Sequence, residues 1–339
     1  MKTSMTLLVL AMASQSGAAQ SVTDTVPSQT AIDTVAPKSA EESPFSFRTG
    51  ALELAGTLTL PANYSHPIPV VLIVAGSGPT DRNGNSAGAL RAQNNSNLYA
   101  ILAWQLAEAG IASVRYDKRI LGENLKKLHV DSLSIDDFVD DALAGARALA
   151  GDKRFSKVIL LGHSEGAGLV LQAANRGAPV AGVIMMSGAG RPIMTVIREQ
   201  LSRQLPPEEL VKWDSASARY LRGEPVGDVL PGLMSLLQPA NRRFMQTWAK
   251  YDPTAEIARV KVPVLIVQGG KDIQVSESDA RALAAAQPSA TLLLIPSANH
   301  VYRAATTSDL RSQMKLYTDP TIPVVPELAS GIVGWVRKL

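Results

Sequence analysis

Val158-Ile159-Leu160-Leu161-Gly162-His163-Ser164-Glu165-Gly166 is the stretch from which the rest of the chain is read. Four consecutive aliphatic residues suit a strand covered on both faces of a sheet. From about Gly166 to Asn175 the spacing of apolar residues turns helical. The pattern Gly-x-Ser-x-Gly lies between the two. A strand that becomes a helix within so few residues needs a sharp, strained turn, so the residues at both ends of the pentapeptide must be minimal. The same turn pushes the Ser164 hydroxyl out beyond the carboxyl end of the strand. The pentapeptide alone is a weak signal, but a strand before it and a helix after it make it a strong one. Ser164 is therefore the expected nucleophile.

Outward from this point, strands and helices alternate. Phe45 to Arg48 and Leu52 to Leu60 alternate apolar and polar residues, as an opening antiparallel pair would. Val70 to Val74, Ile111 to Tyr116, Val180 to Met186, Val262 to Val267 and Thr291 to Ile295 read as further strands. Helices are expected from Asn97 to Ala109, after Ser134, from Ser276 to Ala286 and from about Val325 to Lys338. Ser134 with Asp137 three residues later is close to a capping box. Alternation of this kind implies an α/β fold with a mostly parallel central sheet and helices on both faces. In such sheets the functional groups gather beyond the carboxyl ends of the strands.

Residues 191–259 break the alternation. They contain no convincing strand, and Met194 to Leu205, Pro207 to Leu221 and Asn241 to Lys250 look helical. An inserted helical cap is expected here, with the core domain split into 45–190 and 260–339. A plain run of packing helices is the other reading. Trp213, Leu233, Met234, Leu236, Leu237, Met245 and Trp248 either line an apolar substrate site or form the interior of this insertion.

The chain has 339 residues, 46% of them hydrophobic, and a net charge of +3. A large core is therefore affordable in area, and single α/β domains routinely exceed about 250 residues. No basic block interleaved with aromatics marks a nucleic-acid partner. The absence of cysteine removes a thiol nucleophile, a disulfide framework and a thiolate metal site together. At the N-terminus, Lys2, the apolar run from Met5 to Ala13 and small residues ending at Ala19 have the layout of a secretory signal over residues 1–19. A frayed helix or a retained anchor are the alternatives, but the run is short of the roughly 20 residues that span a bilayer. Residues 20–44 read as a flexible leader, so a periplasmic or secreted protein without stable membrane insertion is expected.

A serine hydroxyl needs a base near neutral pH, and only four histidines are available. His163 sits within the turn and is expected to point away. His66 precedes a strand at the amino end of the sheet, and His129 lies in a polar connection. His300 follows the Thr291–Ile295 strand by a short loop, which puts it at the same rim as Ser164. The acid that orients the base should lie between them. Asp272 does, just after the strand Val262 to Val267 and the turn Gln268-Gly269-Gly270-Lys271. Asp252 reads instead as a turn residue and Asp279 as a surface carboxylate on a helix. The expected oxyanion donors are the backbone N–H groups of Glu165 and of Ser77, in the loop Ala75-Gly76-Ser77-Gly78-Pro79. No converging ligands suggest a metal, and this loop lacks the Gly-Lys-Ser/Thr of a nucleotide phosphate site. The charged set Asp81, Arg82, Asp117, Lys118 and Arg119 either orients substrate or, the preferred reading, forms a salt-bridged scaffold for the oxyanion loop.

The chain order Ser164, Asp272, His300 resembles the α/β-hydrolase superfamily over residues 45–339. Gly76 to Asn85, Tyr116 to Arg119, Gly162 to Gly166 and Asn299-His300-Val301 are similar to bacterial exported serine esterases related to serine aminopeptidase-like hydrolases. Ala75 and Ile120 depart from the usual His and Gly of those patterns. The resemblance implies the α/β-hydrolase fold and cleavage of short or medium acyl esters, with a small-molecule ester substrate and neither metal nor organic cofactor. A peptidase or amidase with the same triad is the alternative, and a non-catalytic binding protein on this scaffold is a more distant one.

Overall fold

The computed structural model describes residues 36–339. The expected signal segment and most of the expected leader lie outside the described residues. Eight strands form one sheet in the order β1-β2-β4-β3-β5-β6-β7-β8. They are β1 (Ala40–Thr49), β2 (Leu52–Pro61), β3 (Ile68–Val74), β4 (Ala112–Tyr116), β5 (Phe155–His163), β6 (Gly182–Met186), β7 (Val264–Gly269) and β8 (Thr291–Ile295). The β1–β2 and β2–β4 pairings are antiparallel, and every pairing from β4 through β3 to β8 is parallel.

The continuous apolar runs divide between the two faces of the sheet with the period of two that a strand imposes. Val70, Leu72, Val158 and Leu160 join one core cluster, while Val71, Ile73, Ile159 and Leu161 join the other. Helices cover both clusters. On the second face lies α1 (Leu98–Glu108). After the short α2 (Gly122–Leu125), the first face is covered by α3 (Ile135–Ala150) and α4 (Glu165–Asn175). The capping box before α3 is formed: the Asp137 carboxylate accepts the Ser134 N–H at 2.8 Å.

Between β6 and β7 the chain makes α5 (Ile193–Ser202), α6 (Pro207–Arg222), α7 (Pro231–Met234), α8 (Arg242–Trp248) and α9 (Pro253–Arg259), and no strand among the described residues. Trp213, Leu233, Leu236, Leu237 and Met245 are buried within this helical segment, whereas Met234 is exposed. The chain ends with α10 (Glu277–Ala286), α11 (Leu310–Thr318) and α12 (Pro326–Val336). No helix among the described residues is long and apolar enough to cross a membrane.

Three expectations need correction. The first strand starts at Ala40, within the segment 20–44 expected to be a flexible leader. Glu42 explains this: its carboxylate takes a 2.7 Å ion pair from the buried Arg115 and a 2.7 Å hydrogen bond from Trp104 Nε1. Those partners come from β4 and α1, so nothing local in the Ser/Pro-rich composition announces the strand. Asp279 is not a surface carboxylate. It is fully buried and bridges the α10 N-terminus to Arg191 at 2.7 Å and to the Gly190 N–H at 3.0 Å. Helix α11 was not expected; its Tyr317 and Gln313 face inward from an otherwise polar segment.

Candidate active site

Ser164 stands between β5 and α4 with φ 55° and ψ −117°, a conformation in which few non-glycine residues are found. The two glycines of the pentapeptide are required by close backbone packing. A Cβ at Gly162 would lie 2.1 Å from the Gly166 carbonyl oxygen, and one at Gly166 would lie 2.3 Å from that of Val74. The Ser164 N–H donates to the Met186 carbonyl at 2.8 Å, which pins the turn to the neighbouring strand.

His300 and Asp272 are in contact. His300 Nδ1 lies 2.8 Å from Asp272 Oδ2, with both side chains out of water. The other carboxylate oxygen of Asp272 accepts the N–H groups of Gln274 at 2.7 Å and Val275 at 2.9 Å. Burial on its own would push this carboxyl up. The His300 ring and the two backbone donors outweigh burial and hold it below its ordinary value. Asp272 is thus an ionised acceptor, so the His300 proton resides on Nδ1 and Nε2 is left as the basic nitrogen. Ser164 and His300 line the same cavity, and no hydrogen bond joins their side chains. Bonds between nucleophile and base are often long in free enzymes and tighten only around substrate.

The expected oxyanion donors lie on either side of Ser164. Glu165 is the first residue of α4, where a helix leaves its N–H without an intrahelical acceptor. Neither the Glu165 nor the Ser77 N–H donates a backbone hydrogen bond among the described residues. The Gly76 N–H, by contrast, is already used by Tyr99 at 3.0 Å. The loop comes close to Ser164: a Cβ at Gly76 would lie 3.3 Å from its Cβ.

His163 has a structural part that its position in the sequence did not disclose. Its Nε2 lies 2.9 Å from the His300 carbonyl and its Nδ1 lies 2.9 Å from the Tyr99 hydroxyl. A carbonyl only accepts, so the proton is on Nε2, Nδ1 accepts from Tyr99 O–H, and the Tyr99 oxygen accepts from the Gly76 N–H. One chain of hydrogen bonds therefore joins the loop 75–79 to the backbone of His300. Burial, reinforced by the neighbouring His300, pushes the His163 ring down to about 3 and keeps it neutral. His66 and His129 are exposed, and neither lines a cavity at Ser164.

The charged set forms the scaffold rather than a substrate clamp. Lys118 Nζ donates to the Gly76 carbonyl at 2.9 Å and pairs with Glu165 Oε1 at 2.7 Å, all buried. Arg82 pairs with Asp117 at 2.5 Å, and Arg119 with Asp141 at 2.6 Å. Asp81 accepts the Asn83 and Asn85 N–H groups, both at 2.9 Å. Asp252 caps α9, accepting the Thr254 N–H at 2.9 Å.

Two cavities meet at Ser164. One is apolar, walled by Leu169 of α4 and by Ile193, Val196 and Trp248 of the helical segment. Trp248 alone of the segment's large apolar residues singled out above reaches it. The other is the more polar of the two, with polar and apolar surface in similar share, and contains His300, Ser77 and Gln274. Tyr99 and Lys118 are site residues whose roles depend on partners far away in sequence.

A serine at a strained strand-to-helix turn and a buried carboxylate–imidazole pair, at one rim of an open α/β sheet, define a hydrolase-like scaffold. The chain matches the Alpha/beta hydrolase family over residues 102–307, and it belongs to that family. It is 30% identical over 248 residues to Esterase EstD of Thermotoga maritima, a match covering 73% of this chain and 56% of that protein. The chain thus spans little more than half the length of that curated relative. Among solved structures, Est1E from Butyrivibrio proteoclasticus is similar in fold, with a TM-score of 0.55 and 15% identity over 87% of this chain and 98% of that one. Proline iminopeptidase from Mycobacterium smegmatis is similar with a TM-score of 0.56 and 17% identity, at the same coverage.

Proposed function

We propose that this protein is a serine hydrolase that cleaves carboxylic esters of short or medium acyl chains. Ser164 Oγ attacks the ester carbonyl carbon as His300 Nε2 takes its proton, and Asp272 stabilises the imidazolium that results. The oxyanion is held by the N–H groups of Ser77 and Glu165. Collapse breaks the carbon–oxygen bond, and His300 returns the proton to the departing alcohol. Water, deprotonated by the same ring, then attacks the acyl-enzyme and releases the acid and Ser164. Helices of residues 191–259 act as a cap that selects the acyl group.

The observation that carries this reading is the 2.8 Å contact of Asp272 with His300, which lines the same cavity as Ser164. The curated relative is named an esterase, which supports the same reaction class. An aminopeptidase would need an unengaged carboxylate for the substrate ammonium group. Glu165 and Glu256, the carboxylates lining the two cavities, are paired with Lys118 at 2.7 Å and Arg259 at 3.2 Å.

Labelling with a fluorophosphonate probe tests the assignment. The folded wild type is expected to label and Ser164→Ala not to; equal labelling of the two would sink the proposal. Asp272→Asn is expected to lower turnover by roughly four orders of magnitude while leaving the fold intact, the scale associated with the wrong imidazole tautomer.

A further inference from the structure

We infer that Ser164 divides the substrate between its two cavities, with the acyl chain in the apolar one and a neutral, hydroxyl-rich alcohol such as glycerol or a sugar in the polar one. This rests on the ester-hydrolase reading above and names the alcohol that it leaves open.

The orientation follows from the proton that must be returned. The leaving oxygen has to lie within hydrogen-bond reach of His300 Nε2. His300 lines the polar cavity and not the apolar one, while Ser164 lines both. A carbonyl carbon bonded to Ser164 therefore directs its alcohol oxygen to the polar side and its acyl chain to the other. The apolar cavity suits hydrocarbon, with Ile135, Leu169, Ile193, Val196 and Trp248 in its wall.

The more polar cavity is built differently. Its lining holds hydroxyls and amides, including Ser77, Ser86, Gln93, Asn94, Gln274 and Tyr317, and no Asp, Glu, Lys or Arg. A cationic alcohol finds no carboxylate there, and an anionic one finds no guanidinium or ammonium. The side chains of Ser77, Ser86 and Gln93 make no hydrogen bond among the described residues. These groups offer donors and acceptors that a simple alkyl alcohol leaves unmatched and a polyol matches. Sites that hydrogen-bond a substrate hydroxyl discriminate strongly against analogues lacking it.

The test varies the two halves of the ester independently on the purified full chain, reading kcat/KM by proton release. Methyl hexanoate, glyceryl monohexanoate and methyl 6-hexanoylglucoside share an acyl group; glyceryl monoacetate shares an alcohol. Either hydroxylated hexanoate is expected to exceed methyl hexanoate by about tenfold or more. That ratio should fall to within about threefold in Gln93→Ala combined with Ser86→Ala. Gly168 lines the apolar cavity, and a Cβ there meets nothing within 4 Å. Gly168→Leu should lower the hexanoyl-over-acetyl ratio about tenfold, with its main effect on the acyl ratio and not the alcohol ratio. Turnover of all esters with no gain from hydroxylated alcohols overturns the inference and leaves the esterase reading standing. A Gly168→Leu effect on the alcohol ratio instead would reverse the assignment of the cavities. Failure of every ester, with no fluorophosphonate labelling, removes both.

Discussion

The turn that carries Ser164 and the loop 75–79 that faces it are held in place by different forces. The turn is fixed by backbone against backbone: Gly162 packs on Gly166 and Gly166 on Val74, with no room for a methyl group at either. The loop is fixed by side chains from elsewhere in the fold. Tyr99 takes the Gly76 N–H, Lys118 takes the Gly76 carbonyl, and the same Lys118 pairs with Glu165 beside the nucleophile. Steric fixation leaves no room for adjustment. Polar fixation is distributed, and its strength depends on every partner being present, because a half-satisfied buried network is worse than none.

The contrast is tested most severely at the turn. Gly162→Ala places a methyl group in the space of the Gly166 carbonyl, and no rotamer can relieve it. The expected result is loss of the folded state, more than about 4 kcal/mol, a magnitude reserved for such mechanisms. A folded Gly162→Ala protein with native thermal stability would show that the turn has slack.

Lys118→Met is expected to destabilise by about 3–5 kcal/mol, since Glu165 is left as a buried, unpaired charge. Denaturant unfolding measures it. Adding Glu165→Leu should recover much of that stability without restoring ester turnover, because the Gly76 carbonyl still lacks its anchor. Recovery of both would reduce Lys118 to a charge partner with no positioning role.

Tyr99→Phe removes the hydroxyl between Gly76 and His163 while keeping the ring. About 1–3 kcal/mol of stability should go with it, the cost of leaving buried polar groups unmatched. A fall in kcat larger than any change in KM is the expected kinetic signature of a displaced oxyanion loop. A purely structural tyrosine would lower stability and leave both constants alone.

The smallest effect concerns pH. Folded His163 is held down at about 3, against an ordinary 6.5 in the unfolded chain. As pH falls through 6.5 the unfolded chain gains a proton that the folded one refuses. Stability that is full above that value is therefore lost progressively toward 3, at no more than about 1.4 kcal/mol per pH unit. Between pH 7 and 5 the wild type should lose about 1–2 kcal/mol more than His163→Gln in urea unfolding. Equal losses would mean that His163 is protonated in the folded protein.

Much of this molecule is written in adjacent residues. The period of two in the aliphatic runs, the Gly-x-Ser-x-Gly turn and the Ser134–Asp137 box each express a local constraint, and β8 starts and ends where the pattern says. Chain order and strand ends were enough to single out Asp272 and His300. What was not legible was written in pairs of distant positions. Glu42 looks like part of a polar leader until Arg115 and Trp104 are brought beside it. Asp279 reads as a surface residue until Arg191 arrives. His163 reads as a bystander until Tyr99 and the His300 carbonyl close on its two nitrogens.

The sequence by itself determined a mostly parallel α/β sheet and the position of its sharp turn, and it nominated the side chains proposed to react there, because steric and periodic constraints act between near neighbours. Only the tertiary structure decided how the loop 75–79 is anchored, which side of Ser164 is apolar and which nitrogen of His163 and of His300 carries the proton. Those properties depend on cavities and on hydrogen bonds such as that between His163 and His300, 137 positions apart, and no local pattern records a partner at that distance.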